Sequence, residues 1–400
     1  MKKILFVDDE PNLLEALQRM LRPQRKEWEM LFALGGAAAL EVLDKTPVDV
    51  VVTDMRMPGL DGAELLQLVH DRFPNVLRIV LSGHFEVEAG LRAVPVAHQF
   101  LTKPCEPDKL KAAIERSSQN SSSLTDESTR RIVGAIGTLP SPPRTCTQLM
   151  EAIQDPNVSM ATVGRIINQD VAISAKVLQL VNSGFFGLAR EVSNVSTALN
   201  LLGMDVLKQL VLSAGVLKTF QPRRKIQGFS LDQFEAHSQL TAKIANQISS
   251  DLGTDSGGVL AALLHDTGKL VLASWRPDEL ERAIAESAQQ KRPLHECEWE
   301  LFGTGHAEIG GYLLSLWGLP SSTVDAISFH HRPSMPGNQT GKGQLRLLIH
   351  VANALAHEGP DNPADLAAIP ACCDPAYFAR TGADKRISEW RGKVRGAKVY

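Results

Sequence analysis

The sequence lacks the features that mark exported, membrane-spanning or nucleic-acid-binding chains. Its 42 Lys and Arg residues are balanced by 45 Asp and Glu residues, a formal net charge of −3, so no basic excess points to nucleic acid. The basic residues 2–3 precede an apolar run over residues 4–7, which is too short for the core of a signal peptide. The longer apolar stretch 201–217 contains Asp205 and Lys208, and it therefore predicts a packed helix rather than a membrane span.

Cysteine is scarce as well, because the 400 residues contain 5, scattered and without a Cys-x-x-Cys spacing. Such a set, with no predicted export signal, is typical of a reducing cytoplasm rather than of a disulfide-bonded secreted protein. The length exceeds what one hydrophobic core usually spans, so we expect two or three domains. The sequence thus predicts a cytoplasmic chain of several globular domains.

Apolar β-type segments alternate with helical patterns through the first 118 residues. The predicted strands cover residues 4–7, 28–33, 48–54, 77–81 and 97–101. The predicted helices cover residues 11–21, 36–43, 62–72 and 107–116. Repeated strand–helix alternation predicts an α/β domain with a parallel sheet and helices on both of its faces.

Polar residues follow the ends of these strands, and they are Asp8, Asp9, Asp54, Ser82 and Lys103. Because the carboxyl ends of parallel strands meet at one edge of the sheet, we expect these side chains to lie together. Three carboxylates in one pocket repel each other unless a cation lies among them, and Mg²⁺ suits carboxylate, water and phosphate ligands. Any one of these residues is more simply a turn cap or a surface charge, but the five together favour a site.

This set suits phosphoryl transfer to an aspartate. A carboxylate nucleophile that forms an acyl phosphate needs a metal ion and a fixed cation on the phosphoryl oxygens. Lys103 can supply that cation, and Ser82 can donate a hydrogen bond to the attached phosphate. Phe100 lies three residues before Lys103, where its ring can move between an exposed and a buried position.

The motifs VDDE, VVTDMRMPGLDG, VLSG and FLTKP resemble those of receiver domains in two-component response regulators. The resemblance covers the whole of residues 1–118 and leaves no required position unmatched. It implies a flavodoxin-like fold with the strand order 2-1-3-4-5 and a sensor histidine kinase as the phosphodonor. It also implies a cis peptide bond between Lys103 and Pro104, since X-Pro bonds adopt that form at low cost.

The same resemblance implies a role for each site residue. Asp54 would be the phosphoacceptor, with Lys103, Ser82 and Phe100 as the catalytic and switch residues. Mg²⁺ would be bound directly by Asp9 and Asp54, through water by Asp8, and by the backbone carbonyl of Arg56.

The chain changes character after residue 118. Residues 117–123 are rich in Ser, Gln and Asn and predict a flexible joint, while 124–137 can be partly helical. From residue 139 onward the apolar spacing is helical throughout. The phrases LPSPP, IINQDVAISAKVLQLVNSGFFG and ALNLLG resemble the start of an HDOD domain. We therefore expect a receiver (1–118), a linker (119–137), an all-α HDOD domain (138–357) and a C-terminal extension (358–400).

The helical part contains a set of metal-ligand residue types. They are His237, His265, Asp266, His306, His330 and His331. Imidazole and carboxylate ligands together suit Mn, Fe, Zn or Ni, and ligands on several helices can converge inside a bundle. The alternative is a helical core in which these histidines are only hydrogen-bonded, because HDOD domains often keep such a core without metal or catalysis.

This spacing resembles the HD phosphohydrolases and, more closely, their HD-GYP branch of cyclic di-nucleotide phosphodiesterases. The resemblance implies that the six residues are metal ligands and that Lys269, in HDTGK, contacts phosphate. Two departures oppose hydrolysis. Asn353 stands where that branch has an aspartate, and RPSMPGN replaces the expected glutamate and GYP loop after the double histidine.

The function that we predict is phosphorelay signalling, in which phosphorylation of Asp54 changes the contacts of the HDOD domain with a downstream signalling protein or with a second copy. The competing hypothesis is a receiver-gated, metal-dependent phosphohydrolase or cyclic-nucleotide phosphodiesterase. A third is a nucleotide-binding sensor without catalysis. Neither a membrane nor nucleic acid is expected as a partner, and the modestly basic segment 386–398 with Trp390 predicts a solvated terminal helix.

Overall fold

The computed structural model describes residues 1–82, 93, 96–116, 129, 132–133, 148–149, 151–153, 155, 158–182, 192–212, 225–254, 256–335, 343–358, 370 and 373–395. Several predicted features lie outside these residues, including most of the linker and the last residues of the RPSMPGN loop after the double histidine. Of the linker, residues 129, 132 and 133 are described, and all three are helical and buried.

The N-terminal part is a five-stranded parallel sheet in the order β2-β1-β3-β4-β5. The strands are β1 (Lys2–Asp8), β2 (Trp28–Leu34), β3 (Val50–Asp54), β4 (Leu77–Ser82) and β5 (Gln99–Thr102). Every residue of the central strand β3 is buried, as its apolar run requires in a sheet covered on both faces. The predicted fold class and strand order are confirmed.

Four helices of this part are described. They are α1 (Pro11–Met20), α2 (Gly36–Lys45), α3 (Gly62–Arg72) and α4 (Pro107–Arg116). The predicted helices 62–72 and 107–116 match at both ends. Helix α3 begins where it does because Asp61 and Glu64 form a reciprocal capping box. A short 3-10 helix, Arg22–Lys26, was not predicted.

The described residues after 116 form helices and their connections. Those that build the larger bundle are α5 (Met160–Ile167), α6 (Val171–Asn182), α7 (Val195–Leu212), α8 (Leu231–Leu252), α9 (Ser256–Leu264), α10 (Thr267–Trp275), α11 (Pro277–Gln290), α12 (Leu294–Phe302), α13 (His306–Leu316), α14 (Ser321–Ser328) and α15 (Gln344–Glu358). Helix α7 breaks at Gly203, whose φ of 74° lies in the left-handed region that favours glycine. The predicted all-α architecture is confirmed.

Two sets of packed helices surround the centre of this bundle. Helix α8 packs along α9 and α15, and α13 packs against α10 and α14. Gly268 permits a close contact between α10 and α13, because a Cβ atom there would lie 1.9 Å from the carbonyl oxygen of His306. The starts of α10 and α13 are thereby held against each other.

The two parts of the chain touch at the side of β5. The side-chain amide of Gln179, on α6, donates to the carbonyl oxygens of Ala97 and His98, each at 3.2 Å. Helix α4 also packs against α13. The segment that leads into β5 is therefore hydrogen-bonded to the helical bundle.

The C-terminal segment folds back onto the bundle as α16 (Pro375–Thr381) and α17 (Ile387–Val394). Trp390 is fully buried, and its indole N–H donates to Asp251 at 3.1 Å. Arg391 is also buried and pairs with Glu358 at 2.8 Å. The prediction of a solvated terminal helix was wrong, since the aromatic ring among the charges packs inward. Among the described helices, none combines the length and apolar character needed to cross a membrane.

Candidate functional site

The first site lies at the carboxyl edge of the parallel sheet. Asp8 ends β1, Asp54 ends β3, and Lys103 follows β5 by one residue. The ammonium group of Lys103 donates to Asp8 Oδ2 at 2.8 Å and also to Asp54 Oδ1. The sheet topology therefore brings together three of the five predicted residues, as expected for parallel strands.

Both carboxylates of this pocket are almost fully buried. Asp54 is 6% exposed and Asp8 is 2% exposed. The second oxygen of Asp54 accepts the backbone N–H of Arg56 at 2.7 Å, which orients the carboxylate. Burial raises the pKa of Asp54, although the hydrogen bond and charge of Lys103 oppose that shift. Burial opposes the charge of Lys103, but its hydrogen bonds to Asp54 and Asp8 raise its pKa.

The charge of the pocket suits a divalent ion. Asp9 follows Asp8 directly and is half-exposed, so three carboxylates lie at or beside a pocket in which Lys103 is the bound cation. Oxygen ligands with an uncompensated negative charge are what Mg²⁺ prefers. The donor set present here therefore fits that ion.

The backbone around Asp54 is tight. A Cβ atom at position 62 would lie 2.1 Å from the carbonyl oxygen of Asp54, so Gly62 lets α3 begin directly beside the end of β3. Its N–H donates to the carbonyl of Met55 at 3.0 Å. The glycine of the sequence LDG is thus required by this packing, which the sequence analysis did not predict.

Of the two predicted switch residues, the structure describes the side chain of Phe100 but not that of Ser82. Phe100 is buried, at 2% exposure, in β5 opposite Val80 of β4. Ser82 ends β4 and pairs with Thr102 of β5, while its side chain lies outside the described structure. The peptide bond between Lys103 and Pro104 is cis, as predicted.

Sequence reasoning missed a buried side-chain pair at the amino ends of β4 and β5, at the other end of the strands from the carboxyl-edge pocket. Arg78, on β4, and His98 are both fully or almost fully buried. The guanidinium Nε of Arg78 donates to the carbonyl of Val96 at 2.6 Å, and its backbone N–H donates to His98 Nδ1 at 3.0 Å. Burial, the largest cause, lowers the pKa of Arg78 to about 9. The apolar residues around Arg78 in the β4 sequence concealed its structural role.

The second site lies at the centre of the helical bundle, and it unites all six predicted ligand residues. His265 and Asp266 form the break between α9 and α10, His306 opens α13, and the double histidine follows α14. His237 comes from α8. Two groups result, each with ligand atoms within 4.8 Å of one another, and Asp266 belongs to both: Asp266 with His306, His330 and His331, and Asp266 with His237 and His265.

Backbone carbonyls determine which ring nitrogens face this centre. The Nδ1 atoms of His265 and His330 donate to the carbonyls of Ala262 and Ile327, each at 2.7 Å. The lone pair of each ring is therefore on Nε2. Both Nε2 atoms are buried and lack a hydrogen-bond donor among the described residues, as does Asp266 Oδ1. Buried lone pairs without partners are costly, and a bound cation would satisfy them.

His306 is held by a carboxylate that the sequence analysis did not identify. Its backbone N–H and its Nδ1 both donate to Oε2 of Glu298, at 2.8 and 2.6 Å, and Glu298 is fully buried. Burial opposes the positive charge of His306, but Glu298 and Asp266 outweigh it and raise its pKa to about 9. In this protonated form Nε2 donates to His331 Nε2 at 2.9 Å. Carboxylate–histidine pairs of this kind orient metal ligands.

The remaining histidines are neutral at neutral pH. Burial lowers the pKa values of His237 and His265 to about 4. It also holds those of His330 and His331 well below 6.5. Neutral imidazole is the form that binds transition metals. The second site therefore fits such an ion.

Lys269 and Asn353 also contact this site. The ammonium group of Lys269 donates to Asp266 Oδ2 at 2.6 Å. The side-chain oxygen of Asn353 lies 3.0 Å from His237 Nε2. Two further histidines were missed by the sequence analysis: His295 stacks on His331, with ring centroids 4.3 Å apart, and His357 lies 4.4 Å from His237. No motif marked these two positions.

Comparisons with known proteins agree with the two-part architecture. The family model for the response regulator receiver domain matches residues 4–115, and the model for the HDOD domain matches residues 139–333. An uncharacterized protein of Treponema pallidum is 29% identical over 206 residues, covering 50% of this chain and 39% of its own length. The Escherichia coli transcriptional regulatory protein GlrR is 34% identical over 131 residues, covering 32% and 29%. This chain therefore spans well under half of either relative.

A solved structure shares the fold, and a second has a lower score. A virulence factor from Campylobacter jejuni superposes with a TM-score of 0.53 at 20% identity, covering 68% of this chain and 95% of its own. The MmoQ response regulator from Methylococcus capsulatus has a TM-score of 0.46 at 22% identity, covering 64% and 94%.

Proposed function

The chain is a response regulator in which a receiver domain precedes an HDOD domain, and from this premise we propose that it acts in a phosphorelay through phosphorylation of Asp54. A phosphodonor such as a sensor histidine kinase would supply the phosphoryl group. The HDOD domain would deliver the output by changing its contacts with a downstream signalling protein or with a second copy of the chain.

The observation that carries this proposal is the hydrogen bonding of Lys103 to both Asp54 and Asp8. Attack by the Asp54 carboxylate on a phosphoryl group breaks the bond to the donor and places negative charge beside Lys103. A preorganised ammonium group stabilises that charge without reorganising at the moment of reaction. Arg56 N–H keeps the carboxylate in one orientation meanwhile.

Mg²⁺ is the ion that we assign to this pocket, bound by Asp8, Asp9, Asp54 and the backbone carbonyl of Arg56. When bound, it neutralises charge on the carboxylates and on the phosphoryl oxygens. The residues of the chain do the rest. Lys103 pairs with the attached phosphoryl group, and Ser82 donates a hydrogen bond to it. Phe100, which lies on β5 three residues before Lys103, changes its packing.

For the output domain we propose protein interaction rather than hydrolysis. The helical site would hold a transition metal such as Fe, Mn, Ni or Zn through ligands drawn from the six predicted histidine and aspartate residues. Two-metal hydrolytic sites clamp the attacking and leaving oxygens of a phosphodiester between two ions, and a cation beside them can bind the phosphate. Lys269, the residue expected to contact phosphate, is instead paired with Asp266. A receiver-gated phosphohydrolase therefore has less support than a scaffold with a structural ion.

The proposal is tested by incubating the full chain with acetyl phosphate and Mg²⁺ and measuring phosphorylation by intact mass and by phosphate-affinity electrophoresis. We expect one phosphoryl group on the natural chain and none on Asp54→Asn. The control is Asp44→Asn, since Asp44 is an exposed receiver aspartate. Phosphorylation of Asp54→Asn at the natural level would reject Asp54 as the acceptor.

A further inference from the structure

The two oxygens of Asp266 face different surroundings in the helical site. On the Oδ1 side, His306 Nε2 lies 3.2 Å away and His330 Nε2 lies 3.8 Å away. On the Oδ2 side, His265 Nε2 lies 3.4 Å away and His237 Nε2 lies 3.7 Å away. An aspartate placed in this way could bridge two metal ions, one on each side.

The Oδ2 side is already occupied by charge from the protein. The ammonium group of Lys269 lies 2.6 Å from Oδ2, closer than any imidazole nitrogen on that side. A divalent ion placed at this oxygen would be repelled by the ammonium group in a buried, low-dielectric setting. Lys269 is 16% exposed at its side chain and Asp266 is 1% exposed, so water screens the pair poorly.

On the Oδ2 side, one of the two histidines that group with Asp266 is already engaged. His237 Nε2 lies 3.0 Å from the side-chain oxygen of Asn353, at hydrogen-bonding distance. In either orientation of the Asn353 amide this nitrogen is engaged, either as a donor to oxygen or as an acceptor from nitrogen. His265 Nε2 then remains as the unpaired imidazole nitrogen of this group.

The Oδ1 side has the opposite character. Among the described residues, Asp266 Oδ1 and His330 Nε2 make no hydrogen bond of good geometry, although the protonated Nε2 of His306 lies 3.2 Å from that oxygen. His306 Nε2 and His331 Nε2 face each other at 2.9 Å, which requires a proton or a metal ion between or beside them. Three imidazoles and one carboxylate thus converge here, and Glu298 fixes the orientation of His306.

We infer that the helical site binds a single divalent transition-metal ion, on the Oδ1 side of Asp266, and that Lys269 takes the place of a second ion on the Oδ2 side. This inference rests on the metal binding proposed above and adds its stoichiometry and position. The ligands are Asp266, His306, His330 and His331, a set that suits Zn²⁺, Fe²⁺ or Ni²⁺, and His306 would release its Nε2 proton to solvent when the ion binds. His237 and His265 lie on the Oδ2 side, where Lys269 takes the place of an ion.

The first experiment measures Zn²⁺ bound by the full chain after equilibrium dialysis, with Mg²⁺ in excess to occupy the receiver pocket. We expect one Zn²⁺ per natural chain, loss of that ion in His331→Ala, and its retention in His237→Ala. His70→Ala, a receiver surface variant, is the matched histidine control. Circular dichroism of each variant establishes that a loss of metal is not a loss of fold.

The second experiment tests whether the Oδ2 side of Asp266 can bind an ion once the ammonium group of Lys269 is removed. Lys269→Met keeps the apolar stem and removes the ammonium group, and Asn353→Asp adds a carboxylate beside His237. We expect the double variant to bind two Zn²⁺ per chain instead of one. A double variant that still binds one would contradict the role of Lys269.

Other outcomes separate this inference from the proposals it rests on. Two ions in the natural chain, or equal loss of metal in His237→Ala and His331→Ala, would overturn the one-sided site but leave metal binding in place. Absence of Zn²⁺ from the natural chain and every variant would overturn metal binding itself. Phosphorylation of Asp54, measured on the same samples, reports on the phosphorelay independently of either result.

Discussion

The receiver pocket and the helical site both pair a lysine with an aspartate, yet their charge balance differs. Lys103 serves two buried carboxylates, with a third beside them, so the pocket keeps an excess of negative charge. Lys269 pairs with Asp266, whose other neighbours include the neutral imidazoles of His237 and His265 and the protonated imidazole of His306. In the receiver pocket, the negative charge that Lys103 does not compensate suits a hard divalent ion and a phosphoryl group. In the helical site, Lys269 compensates most of the negative charge of Asp266.

The largest expected effect is on the phosphorylation of Asp54 in the receiver. Lys103→Met removes the cation that stabilises the phosphoryl oxygens, and we expect phosphorylation of Asp54 by acetyl phosphate to slow by roughly 100- to 1000-fold. Metal binding in the helical site should be unchanged. Lys109→Met, at an exposed receiver lysine, is the control. A rate within a factor of about two of the natural chain would refute the role of Lys103, since such a difference is well below 1 kcal/mol.

A pH dependence should appear in the helical site of the metal-free chain. The folded pKa of His306, about 9, lies above its ordinary value of 6.5. The stabilising effect of its charge is therefore complete below pH 6.5 and is lost as the pH rises through 9. We expect chelated protein to lose of the order of 1 to 3 kcal/mol of stability across this interval.

The measurement for this effect is denaturant unfolding of the helical part at several pH values, followed by tryptophan fluorescence. Glu298→Gln should flatten the dependence, because the carboxylate that raises the pKa of His306 is gone. Identical pH dependence in the variant would show that another group is responsible.

The receiver pocket and the helical site each depend on a glycine that packs against a backbone oxygen, Gly62 in the first and Gly268 in the second. Gly62→Ala would place a Cβ atom 2.1 Å from a backbone oxygen in the receiver, and Gly268→Ala would place one 1.9 Å from a backbone oxygen in the bundle. We expect each to cost about 1 to 3 kcal/mol or more, because overpacking moves the backbone. Thermal unfolding, with Gly392→Ala as a control whose Cβ meets no atom within 4 Å, measures this.

The two variants should also affect different functions. Gly62→Ala should weaken phosphorylation of Asp54, whereas Gly268→Ala should weaken metal binding at His306. If both variants changed both activities equally, the two sites would not be separable structural units.

A smaller effect is expected for the metal affinity of Glu298→Gln. Loss of the charge behind His306 should weaken Zn²⁺ binding by about 10- to 100-fold, as is usual when a carboxylate partner of a ligating histidine is lost. Competition with a chromogenic chelator measures the affinity. Glu300→Gln, an exposed neighbour paired with Arg292, should leave it unchanged. Equal affinities of Glu298→Gln and the natural chain would place His306 outside the metal site.

The smallest expected effect concerns the contact between the two parts of the chain. Gln179→Ala removes two hydrogen bonds to the segment before β5 and should cost about 1 kcal/mol. Hydrogen exchange at residues 97–102 should become faster, while phosphorylation and metal content stay the same. Unchanged exchange in that segment would mean that the hydrogen bonds do not constrain it.

Much of the receiver was predictable because its function is encoded close to the ends of its strands. A buried apolar run followed at once by Asp54 places that residue at the carboxyl edge of a parallel sheet, wherever the rest of the chain goes. Strand order, the helices 62–72 and 107–116 and the cis bond before Pro104 followed the motifs as well. The buried Arg78 did not, because its partners are backbone carbonyls that no pattern reveals.

The sequence by itself therefore determined the two-part architecture, the edge of the sheet that gathers Asp8, Asp54 and Lys103, and the residue types of a candidate metal site in the helical part. Only the tertiary structure decided what surrounds each oxygen of Asp266 in that site. The candidate ligands come from separate helices, and their arrangement depends on packing at Gly268, on Glu298 behind His306 and on which oxygen of Asp266 receives Lys269. These are distances of a few ångström between residues far apart in the chain, and periodicity and motif spacing contain no information about them.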